Sequence, residues 1–304
     1  MYNFKKNAKL YIVELNAAGN ATNQHSIEIY SDITASQTFD EQSSPTKTLH
    51  NQLALHDYAV VNSANEVNFS FTTPILNITT VPIVLTLGRE YGTGTIVSFD
   101  MYIQSTNVTY KASTCVIESI TFNMEKNSIL TMSVSGTASS LLKFTGSIPG
   151  TVFTPTLGTG SKYSTIDTMR VTIGGSVLDS IAAINMDLKN EIKWYDENTL
   201  HDSLLSSNIA YYTQYVLQKR TISGSVTQFL TSANIDTVVD SSTNTTVNIE
   251  LYEQSYSSTT PILQFNLPSV VLTRRLNFEE LINRVYDFRL NSNSTIVKPL
   301  YKGA

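Results

Sequence analysis

Cysteine is almost absent. Cys115 is the single cysteine in 304 residues, which excludes a disulfide within the chain and, with it, zinc sites built on cysteine pairs. Charge is scarce as well, at 15% Asp, Glu, Lys and Arg where soluble domains carry about 25%. The formal charge of -5 and the lack of a dense Lys/Arg block argue against a surface built to grip nucleic acid, which needs clustered cations to displace counterions. Long apolar runs are missing too: none approaches the roughly 18 to 20 residues of a membrane-spanning helix. The N-terminal run Leu10 to Val13 is closed by Glu14 and lacks a small-residue cleavage site, so it does not read as a secretion signal. The expectation is a protein made and folded in a cytoplasm.

Ser, Thr and Asn fill the place of the missing charges. Uncharged hydroxyl and amide side chains suit strands that face water or further copies of the same protein, where any charge would be repeated at every copy. Alternation of β-branched or aromatic residues with polar ones predicts strands at Val67–Thr72, Ile96–Ile103, Val116–Phe122, Leu130–Val134, Met169–Ile173, Thr221–Leu230, Val247–Tyr252 and Ser269–Leu272. Helical signals are few. Ser232–Val239 reads as two turns, and Asn277–Val285 carries an N-cap asparagine with Glu280 three residues on, the pattern of a capping box. Asp202–Leu217 fits a helix or an extended hairpin arm, with the hairpin favoured. Gly146, Pro149, Gly150, Pro155, Gly158 and Gly160 crowd one short stretch near the midpoint. This stretch reads as a linker, 148–164, between domains at 1–147 and 165–304.

The two halves echo each other. Thr48-Leu49-His50 recurs as Thr199-Leu200-His201 at an offset of 151 (199 minus 48), and Ile33 lies over Ile184 at the same offset. Val97 to Ser105 lies over Val247 to Ser255, and Cys115 to Ile120 over Phe265 to Val270, both at 150. The expectation is a tandem duplication of one β-rich domain.

Material for catalysis is poor. His25, His50, His56 and His201 form no H-x-x-x-H pair and read as polar surface residues. Cys115 sits in an alternating strand and reads as a buried structural thiol. Asp196–Glu197 and Glu279–Glu280 are sequence neighbours, which point apart on a strand and make no acid/base pair. Ile173-Gly174-Gly175-Ser176 reads as a hairpin turn rather than a phosphate loop, because no Gly-Lys-Ser/Thr follows. The six Asn-x-Ser/Thr triplets follow from composition. No enzyme, cofactor or metal site is expected.

Two β-rich halves, few charges and a long arm between early strands of each half (Ile33–Phe71 and Ile184–Phe229) resemble the tail tube proteins of long-tailed bacteriophages. The segment Thr231–Val239 and the late strands Val97–Ile103 and Val247–Tyr252 add to the likeness. The resemblance implies a mainly β fold of two tandem β-sandwich or half-barrel domains, each with a short flanking helix and an extended arm. It implies a structural virion protein, the major tail tube subunit, whose copies form trimeric pseudo-hexameric or hexameric rings stacked into a channel. Phage DNA and the tape-measure protein would pass through that channel, with baseplate, terminator or sheath proteins as further partners and the virion tail as location. The duplication departs from the commonest one-domain subunit and favours three copies per ring. Ring-stacking or subunit contacts are expected at Thr48, Leu49, His50, His56 and Asp57 in the first arm. In the second they are expected at Trp194, Tyr195, Thr199, Leu200, His201, Tyr211 and Tyr212. A tube-initiating baseplate or tail-completion protein is the nearest alternative. A β-sandwich adhesin or carbohydrate-binding module would normally bring a secretion signal, and a β-sandwich hydrolase lacks its nucleophile or acid pair.

Overall fold

The computed structural model describes residues 8–30, 33–46, 55–74, 96–125, 130–153, 169–195, 209–236, 238–251, 263–278 and 280–291. They are mainly β, contain no helix, and form sheets that do not close into a barrel. The N-terminal side holds β1 (Lys9–Leu15), β2 (Ala21–Ile27), β3 (Thr34–Ser36), β4 (Phe39–Thr46), β5 (Leu55–Ala64), β6 (Val67–Pro74), β7 (Phe99–Gln104), β8 (Thr109–Glu125), β9 (Thr131–Ala138), β10 (Ser140–Phe144) and β11 (Thr151–Val152). The C-terminal side holds β12 (Met169–Ile173), β13 (Ser176–Leu178), β14 (Ile181–Tyr195), β15 (Gln214–Phe229), β16 (Ser242–Leu251), β17 (Leu263–Phe278) and β18 (Ile282–Leu290). All eight strands expected from alternation lie wholly or largely inside these elements.

Hydrogen-bonded neighbours run β2-β1-β7-β8-β9-β6-β3 on the N-terminal side. On the C-terminal side they run β13-β12-β16-β17-β18-β15-β14. Every one of these pairs is antiparallel, and the two orders match strand for strand if β3 with β4 corresponds to β14 and β5 with β6 to β15. The sides are joined by β14 on β8, antiparallel from Ala183–Glu125 to Lys189–Ser119. One hydrophobic cluster runs through both. Across the junction Phe122 of β8 meets Phe265 of β17 edge to face, ring centroids 5.0 Å apart, and burying such a side chain is worth about 1.5–3 kcal/mol.

β8 serves different partners along its length. Residues 109–112 lie between β7 and β10, and 119–123 between β9 and β14. The change falls at Thr114, whose φ of 53° is uncommon for a β-branched residue. Asp100 holds this bend: its carboxylate accepts the Thr114 N–H at 3.1 Å and pairs with Lys111 Nζ at 2.8 Å. Cys115, next to the bend, is fully buried, and burial pushes its thiol pKa up, as suits a structural residue.

Two expected helices are not helical. Asn277–Val285 is the tip of the β17–β18 hairpin, with Asn277 opposite Asn283 and Phe278 opposite Ile282. The capping-box pattern is local, whereas Val285, Tyr286 and Phe288 are buried on the sheet, and that packing decides the outcome. In Thr231–Val239 the described residues make one turn, closed by Ile235 N–H on the Thr231 carbonyl at 3.0 Å. The buried Asn234 side chain takes up the backbone groups a helix would use: Oδ1 accepts from Thr231 N–H, and Nδ2 donates to the Phe229 carbonyl and to Asp179. The turn at Gly174–Gly175 is as expected, with φ of 58° and 86° between paired Ile173 and Ser176.

His25 differs from its expected surface position. It is buried on β2, with Phe153 against its ring at 5.0 Å. Phe153 is held there because β11, within the expected linker, pairs in parallel with β2, and because its N–H bonds the Gln24 carbonyl. Burial lowers the imidazole pKa against the opposing pull of Glu14, 3.4 Å away. A lowered folded pKa means that the unfolded state binds the proton more readily. Stability is therefore full above about pH 6.5, the unfolded value, and falls as pH drops below it. Urea midpoints at pH 7.5 and 5.5 should show this loss, and His25→Gln should shrink it.

A close cross-strand approach recurs in each half. Gly136 of β9 lies opposite Phe69 of β6, and Gly224 of β15 opposite Phe288 of β18. A Cβ at Gly136 would collide with the Val116 carbonyl and come within 2.6 Å of Phe69 Cζ, and one at Gly224 would collide with the Asn185 carbonyl and approach Phe288 Cζ to 2.5 Å. Gly136→Ala and Gly224→Ala should each cost about 1–3 kcal/mol, read as a lower urea midpoint at unchanged slope.

Candidate assembly interface

The second arm begins where β14 and β15 run on past the β8 junction as a hairpin, paired as far as Tyr195–Gln214. Its base is fastened to the N-terminal side. The Trp194 indole N–H donates to Thr137 Oγ1 at 2.9 Å, and Thr137 donates in turn to Glu118 at 3.0 Å. Tyr215 and Tyr212 flank the indole at 5.4 and 6.3 Å. The Tyr215 hydroxyl donates to the Ile96 carbonyl at 2.8 Å, and Ser139 Oγ to the Tyr212 carbonyl at 2.5 Å. Ala64 N–H, at the end of β5, bonds the Ala210 carbonyl at 2.9 Å. Aromatic residues with one polar atom each are suited to such a site, because they bury area while the polar tip keeps a partner.

Of the residues expected to make subunit contacts, Trp194 is therefore buried within its own chain, Tyr212 is half-buried beside it, and Tyr211 is half-buried. Tyr195 is exposed, with Lys193 Nζ 5.2 Å from its ring centroid. The first arm is the β4–β5 hairpin, a separate two-stranded sheet. His56 and Asp57 lie on β5. Thr48, Leu49, His50, Thr199, Leu200 and His201 lie outside the described residues. Thr137, Ser139 and Glu118, which anchor the second arm, carry no motif that would mark them in the sequence. Their contacts span 57 residues or more, except for the Thr137–Glu118 bond.

Beside the junction, Glu118, Ser135, Lys189, Asn190, Lys219 and Thr221 border an open cleft of about 360 Å³. Asn190 Nδ2 closes its floor by donating to the Ile117 carbonyl at 2.9 Å, and burial raises the Glu118 pKa. Among the described residues no group of three His, Cys, Asp or Glu side chains is placed to hold a metal ion. What the molecule displays instead is sheet edge. Among the described residues β3 is paired on one side only, by β6, and the end of β17 bears exposed Leu276 and Phe278, followed by exposed Leu281 and Ile282. Bare edges with apolar residues are a liability for a monomer and a means of association for a subunit.

The chain matches the model of the bacteriophage baseplate tube protein family over residues 1–304 and belongs to that family. No curated protein matches it. The family is one of structural phage tube proteins, so the role is structural and its setting the tail of the virion.

The arm anchor gives a direct test. Trp194→Phe keeps an aromatic ring but removes the donor to Thr137 and part of the buried volume, which should cost about 1–3 kcal/mol, and Trp194→Ala about 3–5 kcal/mol. Both are read from urea midpoints by circular dichroism. Trp194 is the only tryptophan, so a red shift of the wild-type fluorescence that coincides with the global transition would place the anchor within the cooperative unit.

Proposed function

We propose that this protein is a tube subunit of the phage baseplate. In this reading the halves 1–147 and 165–304 are duplicated β domains, each contributing one segment of a ring wall. Three copies then give six segments around a channel, and rings stack through the two arms. The observation that carries the reading is the identical strand order of the two halves in a chain matched over its full length by a baseplate tube family. The 150 to 151 residue offsets in the sequence support it independently. So does composition: in a stacked ring each side chain recurs at every copy, and 15% charged residues limit the resulting self-repulsion.

The chain performs no catalysis in this role. Its partners are further copies of itself and neighbouring baseplate and tail proteins, while DNA and the tape-measure protein pass through the lumen without sequence-specific contacts. A net charge of -5 on every copy favours sliding of phosphates over capture. The major tail tube subunit is the second reading, favoured by the same duplicated wall architecture. Copy number separates the two: a baseplate component is present in a few rings per virion, and a tail tube in as many as the tail is long.

Negative-stain electron microscopy of the purified protein is the first test. End-on rings with six lobes and the mass of three chains are expected; six chains per ring would overturn the wall arrangement, and a chain that stays monomeric at every concentration would overturn the tube reading. Removal of residues 47–54 or 196–208 should leave rings that no longer stack, and stacks of normal length would remove the arms from that role.

A further inference from the structure

We propose that β11 with Phe153 is an acid-released clasp: it closes on the outer edge of β2 over neutral His25 and opens when the imidazole takes up a proton. The inference goes beyond the tube reading and holds for the folded chain whatever it assembles into.

The clasp is slight. β11 is two residues long and pairs in parallel with Asn23 and Gln24 of β2, and the Phe153 N–H continues the pairing onto the Gln24 carbonyl at 2.9 Å. Gly150 brings the chain in: its φ is 97°, and a Cβ there would stand 3.3 Å from the Thr22 carbonyl oxygen and from the Gln24 nitrogen. Val152 is 68% and Phe153 47% exposed, so neither is held by a core of its own. Strand pairing this short is not stable alone. The contact that remains is the Phe153 ring on the His25 ring, 5.0 Å between centroids, and the latch of the clasp is therefore a titratable group.

His25 is placed to be neutral while the clasp is shut. It is 5% exposed, and neither ring nitrogen makes a hydrogen bond among the described residues. Nε2 stands 3.4 Å from Glu14 Oε1, and the other oxygen of that carboxylate accepts from Asn23 Nδ2 at 2.8 Å. Glu14, from β1, is the one charged group among the described residues that acts on the imidazole. Otherwise β1 sets Ile12 opposite it, β2 carries Asn23 and Ile27 on the same face, and the chain after β11 brings Phe153. Burial under this cover penalises a charge by more than Glu14 offsets. Once Phe153 lifts, the ring meets water with Glu14 still beside it, so the open form holds a proton more tightly than the closed one. Protons then favour opening by linkage. The clasp is shut above about pH 6.5, the ordinary value for histidine, and loosens as pH falls through it.

Opening changes how the two sides are tethered. β11 is the last described element before β12. With the clasp shut, the chain sets out for β12 from β2, which is separated from β8 by β1 and β7. With it open, the chain sets out from β10, which pairs with β8 itself. Acid thus frees the connection between the sides while the β8–β14 pairing that joins them stays in place.

Hydrogen exchange of the full chain, read by mass spectrometry, tests this. After correction for the intrinsic rate, the amides of residues 151–153 should lose protection up to about tenfold between pH 7.5 and 5.5, the limit for a single proton, while those of β8 and β14 keep theirs. His25→Gln, which takes up no proton, should show the same protection at both pH values. Asn23→Cys with Thr151→Cys places cysteines at paired positions of adjacent strands, within disulfide reach, and once oxidised should hold the clasp shut at both. Equal protection of the wild-type segment at the two pH values would overturn the clasp. So would a loss that persists in His25→Gln, or one that appears only in step with the β8 amides.

Discussion

The backbone pairing of β8 with β14 is the interaction on which the rest of the structure depends. It converts two sheets of the same strand order into one continuous sheet and one continuous core, and it covers Phe122 and Met124, which would otherwise stand exposed. The pairing is possible only because β8 changes partners midway. At Thr114 the strand leaves its first pair of neighbours, and the Asp100 carboxylate, tied to Lys111, holds the backbone in a conformation that a threonine seldom adopts. An ion pair with a buried acid is costly unless its other hydrogen bonds are met, and here the second carboxylate oxygen is used on the Thr114 N–H.

The scarcity of charge becomes intelligible at this junction. Contacts across it are made mainly by hydroxyl, amide and indole groups: Asn190 donates to the Ile117 carbonyl and Trp194 to Thr137, while Thr121 donates to the Asp187 carboxylate at 2.6 Å. Such groups can satisfy one another across a seam without the desolvation cost of ions. They leave the apolar residues, Phe122 against Phe265 and the row behind them, to supply the net driving force.

Alternation along the chain located eight strand segments, because the period of two of a strand that buries one face survives in the sequence even where a bulge interrupts the pairing, but it did not mark β1, β2, β10 or β18. The turn at Gly174–Gly175 was legible for a similar reason, since positive φ at both positions demands glycine. The helix expected at Asn277–Val285 failed because a capping box reports only four residues, whereas burial of Val285, Tyr286 and Phe288 depends on strands many residues away. His25 was illegible as a buried group. Its cover is Phe153, brought by a two-residue strand from a stretch rich in glycine and proline that reads as linker. The recurring tripeptides of the arms lie outside the described residues, and the aromatic stretch, expected to meet another subunit, places Trp194 and Tyr212 against their own chain. What no local pattern shows is that the contact of Trp194 lies 57 residues back in the same chain.

On the reading proposed above, in which the two sides are duplicated wall domains, joining them has a consequence for assembly. In a ring of six separate domains every seam must form between molecules and lose rigid-body freedom when it does so. In a ring of three duplicated chains, half of the seams are already made on folding, in register and at an effective concentration set by the linker. The intramolecular seam is also free to diverge from the intermolecular one. In the duplicated-domain reading proposed above, Phe69–Gly136 and Gly224–Phe288 keep one ring and one gap in each row while the strand that carries each is swapped, so that packing volume is conserved.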